Sequence, residues 1–302
     1  MWYNLQRMKR MTSQFASFFT ITLWGVSLVS AKYVLNLGVN APSVFFYRFL
    51  IMYVIIAILS FFSREKLIAK TVREELLFAL MGIIGGSIYY FIVYKALSFE
   101  LTSNVSFFIA AGPITLSIFN SMFYSSKLVK SNMIIGILLL LAGLGVVVYN
   151  SVRLDINPMG NVLLINATFM WGLYVLLMDY LNQKYSLLFV LRKMTFYGLL
   201  TILPFFLFEP LMLDPAILKQ PLFIANILFL SSVTMLLMTV LRLKAVQRLG
   251  YDSTIHNIYL LPIAAILLSY IFLREMITPL ALVGGILIIV GVRIADKGHL
   301  RQ

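Results

Sequence analysis

The chain has 302 residues, 61% of them hydrophobic and 12% charged, with a mean hydropathy of +0.96. That leaves too little polar side chain to cover a water-facing surface, so a soluble globular domain is excluded and lipid is the required environment. The net charge of +13 does not mark a nucleic-acid binder, because the basic residues gather into no single face or tail.

Apolar runs of about 20 residues, the length that crosses hydrocarbon, recur from end to end. In chain order they predict spans at Phe15–Leu35, Ser43–Phe62, Leu76–Ala96, Val105–Tyr124 and Met133–Tyr149. A second set follows at Val162–Tyr180, Leu187–Phe208, Leu222–Leu241, Ile255–Leu273 and Leu280–Ile294. Backbone polar groups cannot stay unpaired in lipid, so runs of this kind are helices. The expected fold is an all-α membrane protein of ten transmembrane helices.

Before the first span stand Arg7, Lys9 and Arg10, and Val29-Ser30-Ala31 resembles a signal-peptide cleavage site. The same segment has a counterpart later in the chain, so it is read as a retained helix. With ten spans both termini share one side, and that side collects 18 of the 24 Lys and Arg residues. Cytoplasmic loops hold positive charge, so both termini are expected in the cytoplasm. The expected location is a cell membrane, as a multi-pass protein of a prokaryotic plasma or inner membrane.

Sliding the chain against itself exposes a repeat. At an offset of 147, Trp24-Gly25 meets Trp171-Gly172, Tyr33 meets Tyr180 and Phe49 meets Phe196. At 149, Lys95-Ala96 meets Lys244-Ala245, Pro113 meets Pro262, Phe123 meets Phe272, and Gly136-Ile137-Leu138 meets Gly285-Ile286-Leu287. The units are residues 1–152 and 153–302. Five spans is an odd number, so the second unit enters the membrane from the opposite side and the repeats are inverted. Inverted repeats permit alternating access to one central site.

Trp24 and Trp171 with their glycines, Lys95-Ala96-Leu97 followed by Gly112-Pro113, and the ending Leu273-Arg274-Glu275, Pro279, Gly284-Gly285 and Gly291 resemble the drug/metabolite transporter superfamily, EamA branch. The resemblance implies ten helices with cytoplasmic termini and export of amino acids, metabolites or drugs. It also implies a cavity lined by helices 1, 3, 4, 6, 8 and 9, with 5 and 10 peripheral. One departure is that Glu275 of the second half has Ser126 as its counterpart.

Hydroxyls and aromatics on one stripe of a membrane helix meet each other, water or a ligand. Ser13, Ser17, Thr20, Trp24, Ser27 and Ala31 form such a stripe in helix 1, and Ser87, Tyr90 and Tyr94 another in helix 3. Helix 6 offers Trp171 and Tyr174. Close helix packing through the small residues is the competing reading, against which the bulky indoles argue. Pro113 and Pro262 are expected hinges, each with a polar approach: Asn104 and Ser106 before the first, His256, Asn257 and Tyr259 before the second. The expected substrate-binding set is Trp24, Ser27, Tyr90, Tyr94, Asn104, Trp171, Tyr174, His256, Asn257 and Tyr259.

No Asp or Glu lies at the centre of a predicted span, which argues for facilitated transport or exchange. His256 either carries a proton or is a structural hydrogen-bonding group. Arg48, about two turns into helix 2, is expected to snorkel outward, and Lys32 either attracts anions at a mouth or anchors helix 1. The absence of Cys excludes disulfides and thiol chemistry, and His256 and His299 are too few for a metal site, so no cofactor or metal is expected. Nothing converges as a catalytic centre, so an enzyme is not expected. A small-solute carrier is the main reading. A non-transporting sensor or assembly subunit and a nucleotide-sugar-type transporter stay open. Expected partners are a small-molecule solute and the lipid bilayer, with a homodimer open and nucleic acid excluded.

Overall fold

The computed structural model describes residues 2–123, 131–241, 258 and 260–297. Every regular element among them is a helix. Eight are long and apolar enough to cross a membrane, and two shorter apolar helices follow near the carboxyl end.

α1 (Trp2–Asn36) ends at Gly38, whose φ of +89° is open to glycine without strain and turns the chain. Asn40 then caps α2 (Ala41–Phe62) by accepting from Ser43 N at 3.0 Å, with a proline inside the first turn where no donor is needed. α3 (Val72–Phe99) starts at Thr71, whose hydroxyl accepts from Glu74 N while Glu74 takes the hydroxyl proton, a reciprocal cap. Its middle, Gly82–Ile88, widens into a π-helical turn.

α4 has two pieces, Thr102–Ala110 and Gly112–Phe123, broken where Pro113 cannot donate to the turn before it. α5 (Ser131–Arg153) and α6 (Met159–Asn182) follow. α7 (Leu187–Ile202) tightens into a 3₁₀ end at Leu203–Leu207, so the predicted seventh span closes as a narrower coil around Pro204. α8 (Pro221–Leu241) contains a second π-helical stretch, Phe229–Leu237. α9 (Leu260–Leu273) and α10 (Pro279–Lys297) complete the bundle.

The side chains sort as lipid demands. Phe45, Phe49, Phe78, Phe108 and Phe189 are fully buried between helices, while Phe61, Phe62, Leu141, Leu207, Phe208 and Ile286 stand exposed on the outside. Such an apolar exterior would aggregate in water and is at home in hydrocarbon. Where helices approach most closely, glycines allow it. A Cβ on Gly136 would sit 2.5 Å from Gly291 O, and one on Gly143 2.7 Å from Gly284 O, so α5 and α10 pack backbone to backbone.

The internal repeat is visible in packing. Gly25 of α1 lies against Ala264 and Ala265 of α9, and its counterpart Gly172 of α6 lies against Thr115 and Leu116 of α4. Thr115 and Leu116 precede Ala264 and Ala265 by the same 149 residues that relate Pro113 to Pro262. Moving Gly82–Ile88 by 149 positions lands on 231–237, within the π-helical stretch of α8. One helix-helix contact and one backbone irregularity thus occur twice, once per half.

Candidate functional site

Helices α1, α2, α3, α4, α6 and α8 enclose a central cavity of about 110 Å³. One water needs roughly 10–15 Å³ on that scale, so the space suits several waters or a small solute.

Its aromatic wall follows from local backbone. The break in α4 leaves Gly112 facing α6, and a Cβ there would come within 2.6 Å of the Trp171 ring. Trp171 therefore lies flat on the broken helix, and Trp24 of α1 meets it with ring centroids 6.2 Å apart. The π-helical turn of α3 presents Gly85 beneath Tyr174, whose ring would lie 2.0 Å from an added Cβ. The Tyr174 hydroxyl points along its own helix to Met178 Sδ at 2.9 Å. One turn further on, Tyr89, Tyr90 and Tyr94 pack together, with centroids of 5.0 Å and 5.8 Å between successive pairs.

Further polar groups of the cavity come from α1, α2, α3 and α8. Thr20 and Ser27 line it from α1, and the Ser27 hydroxyl donates to Trp24 O at 2.7 Å. Thr234 lines it from α8 and donates to Leu230 O at 2.7 Å.

Arg48 corrects the expectation of snorkelling. It is 4% exposed and lies in the cavity wall. One guanidinium nitrogen donates to the Tyr94 hydroxyl and the other to Thr234 Oγ1 at 3.0 Å, while the fork's carbon sits 4.6 Å over the Tyr90 ring. Helix periodicity carries the signal, because Phe45, Arg48, Phe49, Met52 and Ile56 share the buried face of α2 while Leu50, Val54 and Ile58 are exposed. Tyr89, Met178 and Thr234 were likewise absent from the expected set. Helix 2, outside the set implied by the family resemblance, supplies the charge, and no described residue of α9 lines the cavity.

Of the expected substrate-binding residues, Trp24, Ser27, Tyr90, Tyr94, Trp171 and Tyr174 come together around this space. Asn104 does not. It is fully buried away from the cavity, donating from Nδ2 to Glu100 Oε2 at 2.9 Å and to Ser151 Oγ at 3.1 Å. Asn161 Nδ2 reaches the other Glu100 oxygen at 2.5 Å, so the polar approach to Pro113 is a carboxylate clasp joining α4, α5 and α6. Ser87 also turns elsewhere, pairing with Thr201 Oγ1 of α7 at 2.7 Å. His256, Asn257 and Tyr259 lie outside the described residues, and Pro262 falls in the first turn of α9 as described.

Lys32 anchors: its ammonium donates to Leu97 O and Glu100 O at the end of α3, satisfying carbonyls that a helix terminus leaves open. Glu275 accepts from Thr102 N at 2.8 Å and from its hydroxyl at 3.2 Å, capping α4 from the α9–α10 connection. At the opposite end, Lys184–Glu74 at 3.1 Å and Lys193–Glu75 at 2.5 Å tie α3 to the start of the second half. Lys184 lies outside the spans, and hydrogen bonds to Tyr180 and Glu74 push its ammonium above the usual lysine value. Among the described residues no group of three His, Asp or Glu gathers as metal ligands.

Apolar helices enclosing a polar, aromatic cavity define a multi-pass membrane protein with a central, solute-sized space. The sequence model of the EamA-like transporter family matches residues 11–149 and again 158–295, so the chain belongs to that family and is a membrane transporter by kinship. A solved crystal structure, described only as that of a protein, covers 97% of this chain over 100% of its own, with a TM-score of 0.63 at 16% identity. Likeness at that identity speaks for the fold alone. No curated protein matches the chain.

Proposed function

We propose that the chain is a ten-helix carrier of small organic solutes, working by alternating access as an exporter or exchanger. Its two five-helix halves are inverted about an axis in the bilayer plane, with both termini in the cytoplasm of a prokaryotic cell. The observation that carries the reading is that Trp24 and Trp171, counterparts in the two halves, meet at one central cavity. A site shared by symmetry-related elements is what rocking of one half against the other exposes to alternate sides. The twice-used contacts of Gly25 and Gly172 support the repeat, and the basic bias of alternate loops supports the orientation.

Transport is tested with the purified full-length chain in liposomes loaded with unlabelled solute, screening labelled amino acids and metabolites for counterflow. Uptake above empty liposomes is the expected result, and its absence across the panel overturns the carrier reading. Labelling of the two ends from opposite sides tests the orientation, since ends in different compartments would require an odd helix number.

A further inference from the structure

Glu100 stands between the last turn of α3 and the first of α4, with its side chain buried. Asn104 and Ser151 meet its carboxyl at Oε2 and Asn161 meets it at Oε1, all of them neutral groups. Among the described residues no ammonium or guanidinium lies within ion-pair distance of it. The charged groups nearby are engaged elsewhere. Lys32 of α1 donates to Leu97 O and to the backbone carbonyl of Glu100, and Glu275 of the α9–α10 connection caps Thr102. Arg153 and Asp155, where α5 runs on toward α6, are exposed. A carboxylate buried without a cation carries a desolvation cost that neutral donors offset only in part.

Two observations point to a proton as what this site takes. Asn104 and Asn161 are 0% and 1% exposed, and the amide oxygen of each has no donor among the described residues. The 2.5 Å between the Asn161 amide and Glu100 Oε1 is short for an N–H···O bond and ordinary for O–H···O. With the Asn161 amide turned over, its unpaired oxygen takes that place and accepts a proton carried on Oε1.

We infer that Glu100 is a proton-binding site, its acid O–H donated to Asn161 Oδ1 while this end of the bundle is closed and its proton released when the two helices part. Glu100 and Asn161 belong to the two different stretches that match the family. A Cβ on Gly160 would come within 2.6 Å of Glu100 Cγ, so the bond lies in a tight contact between the halves. Rocking one half against the other opens that contact, admits water to the carboxyl and lets it ionise. The proton leaves to the water at this end and returns from it on closing, so none crosses the membrane by this step. Acid therefore holds this end shut and rising pH frees it, because the proton binds the closed state better. The other end of α3 is built differently, with Glu74 and Glu75 each facing a lysine. The inference deepens the proposed carrier reading and rests on it only for treating the parting of the halves as a transport step.

The test follows the purified full-length protein in lipid by infrared difference spectroscopy through a pH titration, reading the C=O stretch of protonated carboxyl groups. One such band is expected to disappear with a midpoint above the ordinary 4.5 and to be missing from Glu100→Gln. Asn161→Ala is expected to lower the midpoint, since the acid loses its acceptor, whereas loss of a group that merely donates to a carboxylate raises it. Opening is read separately. The chain has no Cys, so spin labels on Ser98→Cys and Met159→Cys, at exposed positions of α3 and α6, report the distance between these helices. That distance is expected to lengthen as pH rises through the midpoint and to stay short at every pH in Glu100→Gln. Should Glu100→Gln fail to fold, the Asn161→Ala shift and the label titration of the otherwise unchanged chain decide. A band unaltered by Glu100→Gln, a midpoint at or below 4.5, a midpoint raised by Asn161→Ala, or a label distance blind to pH overturns the inference. Titration and opening with no counterflow of any solute keep the inference and remove the carrier reading, whereas counterflow by a protein lacking the band does the reverse.

Discussion

Trp24 and Trp171 are 147 positions apart in the chain, yet their rings meet at 6.2 Å with planes tilted by 32°. Each leads a tryptophan-glycine pair, and each glycine is pressed against a neighbouring helix, so the indoles are turned inward from fixed backbones. Trp24→Ala and Trp171→Ala are each expected to lower counterflow by about tenfold, the loss of roughly 1.4 kcal/mol of solute contact. Monodisperse elution from size exclusion checks the fold, and unchanged flux in both variants removes the indoles from the solute path.

Gly85 holds Tyr174 in place, because an added Cβ would lie 2.0 Å from its ring. Gly85→Ala therefore forces the ring off its seat, with an expected cost of about 1–3 kcal/mol in stability and a loss of flux. Gly145 meets nothing within 4 Å. Gly145→Ala in the same assays is expected to be neutral or to stabilise by about 0.5–1 kcal/mol, since alanine orders a helix at lower entropy cost. Thermal melts of the two variants in detergent separate local crowding from a general intolerance of substitution.

The repeated glycine contacts predict matched effects in the two halves. Gly25→Val would drive a side chain into Ala264 and Ala265, and Gly172→Val into Thr115 and Leu116. Both are expected to lower the melting temperature by similar amounts. One tolerated and one damaging substitution would show that the two contacts do not bear equally on the bundle.

Glu100 predicts a pH slope. Burial pushes its carboxyl up from 4.5, against hydrogen bonds from Asn104, Ser151, the Leu101 backbone and Asn161. A carboxyl raised on folding binds its proton more tightly in the folded chain, so the stability it contributes falls as pH rises above 4.5 through the folded value. Glu100→Gln keeps the group neutral and is expected to flatten that fall. Melting temperatures of both proteins from acid to neutral pH measure the difference in slope. A slope unchanged by the substitution refutes this account.

Much of the architecture was legible in the sequence. Every described helix coincides with an apolar run, although α1 begins at Trp2, well before the expected Phe15, and the Gly112-Pro113 pair marked the break in α4. Six aromatic and hydroxyl residues were placed together because their helical spacing put them on common faces. Arg48 was misread, since a charge two turns into a span has an outward route by snorkelling, whereas partners on α3 and α8 hold it inside. Asn104 was misread for the converse reason. Its polarity suggested a solute, but its amide nitrogen is taken up by Glu100 and Ser151. Ser87 lies on the stripe of Tyr90 and Tyr94, but the π-helical turn at Gly82–Ile88 lies between the regular parts of α3, and Ser87 meets α7 instead.

What the sequence determined by itself was the membrane, the helices and their duplication, because hydrocarbon leaves a backbone no partner but its own turn and because apolar length is a local property. The tertiary structure alone decided which side chains face the cavity. How each helix is rotated about its axis depends on where its neighbours' glycines allow close approach, and those neighbours lie up to half a chain away.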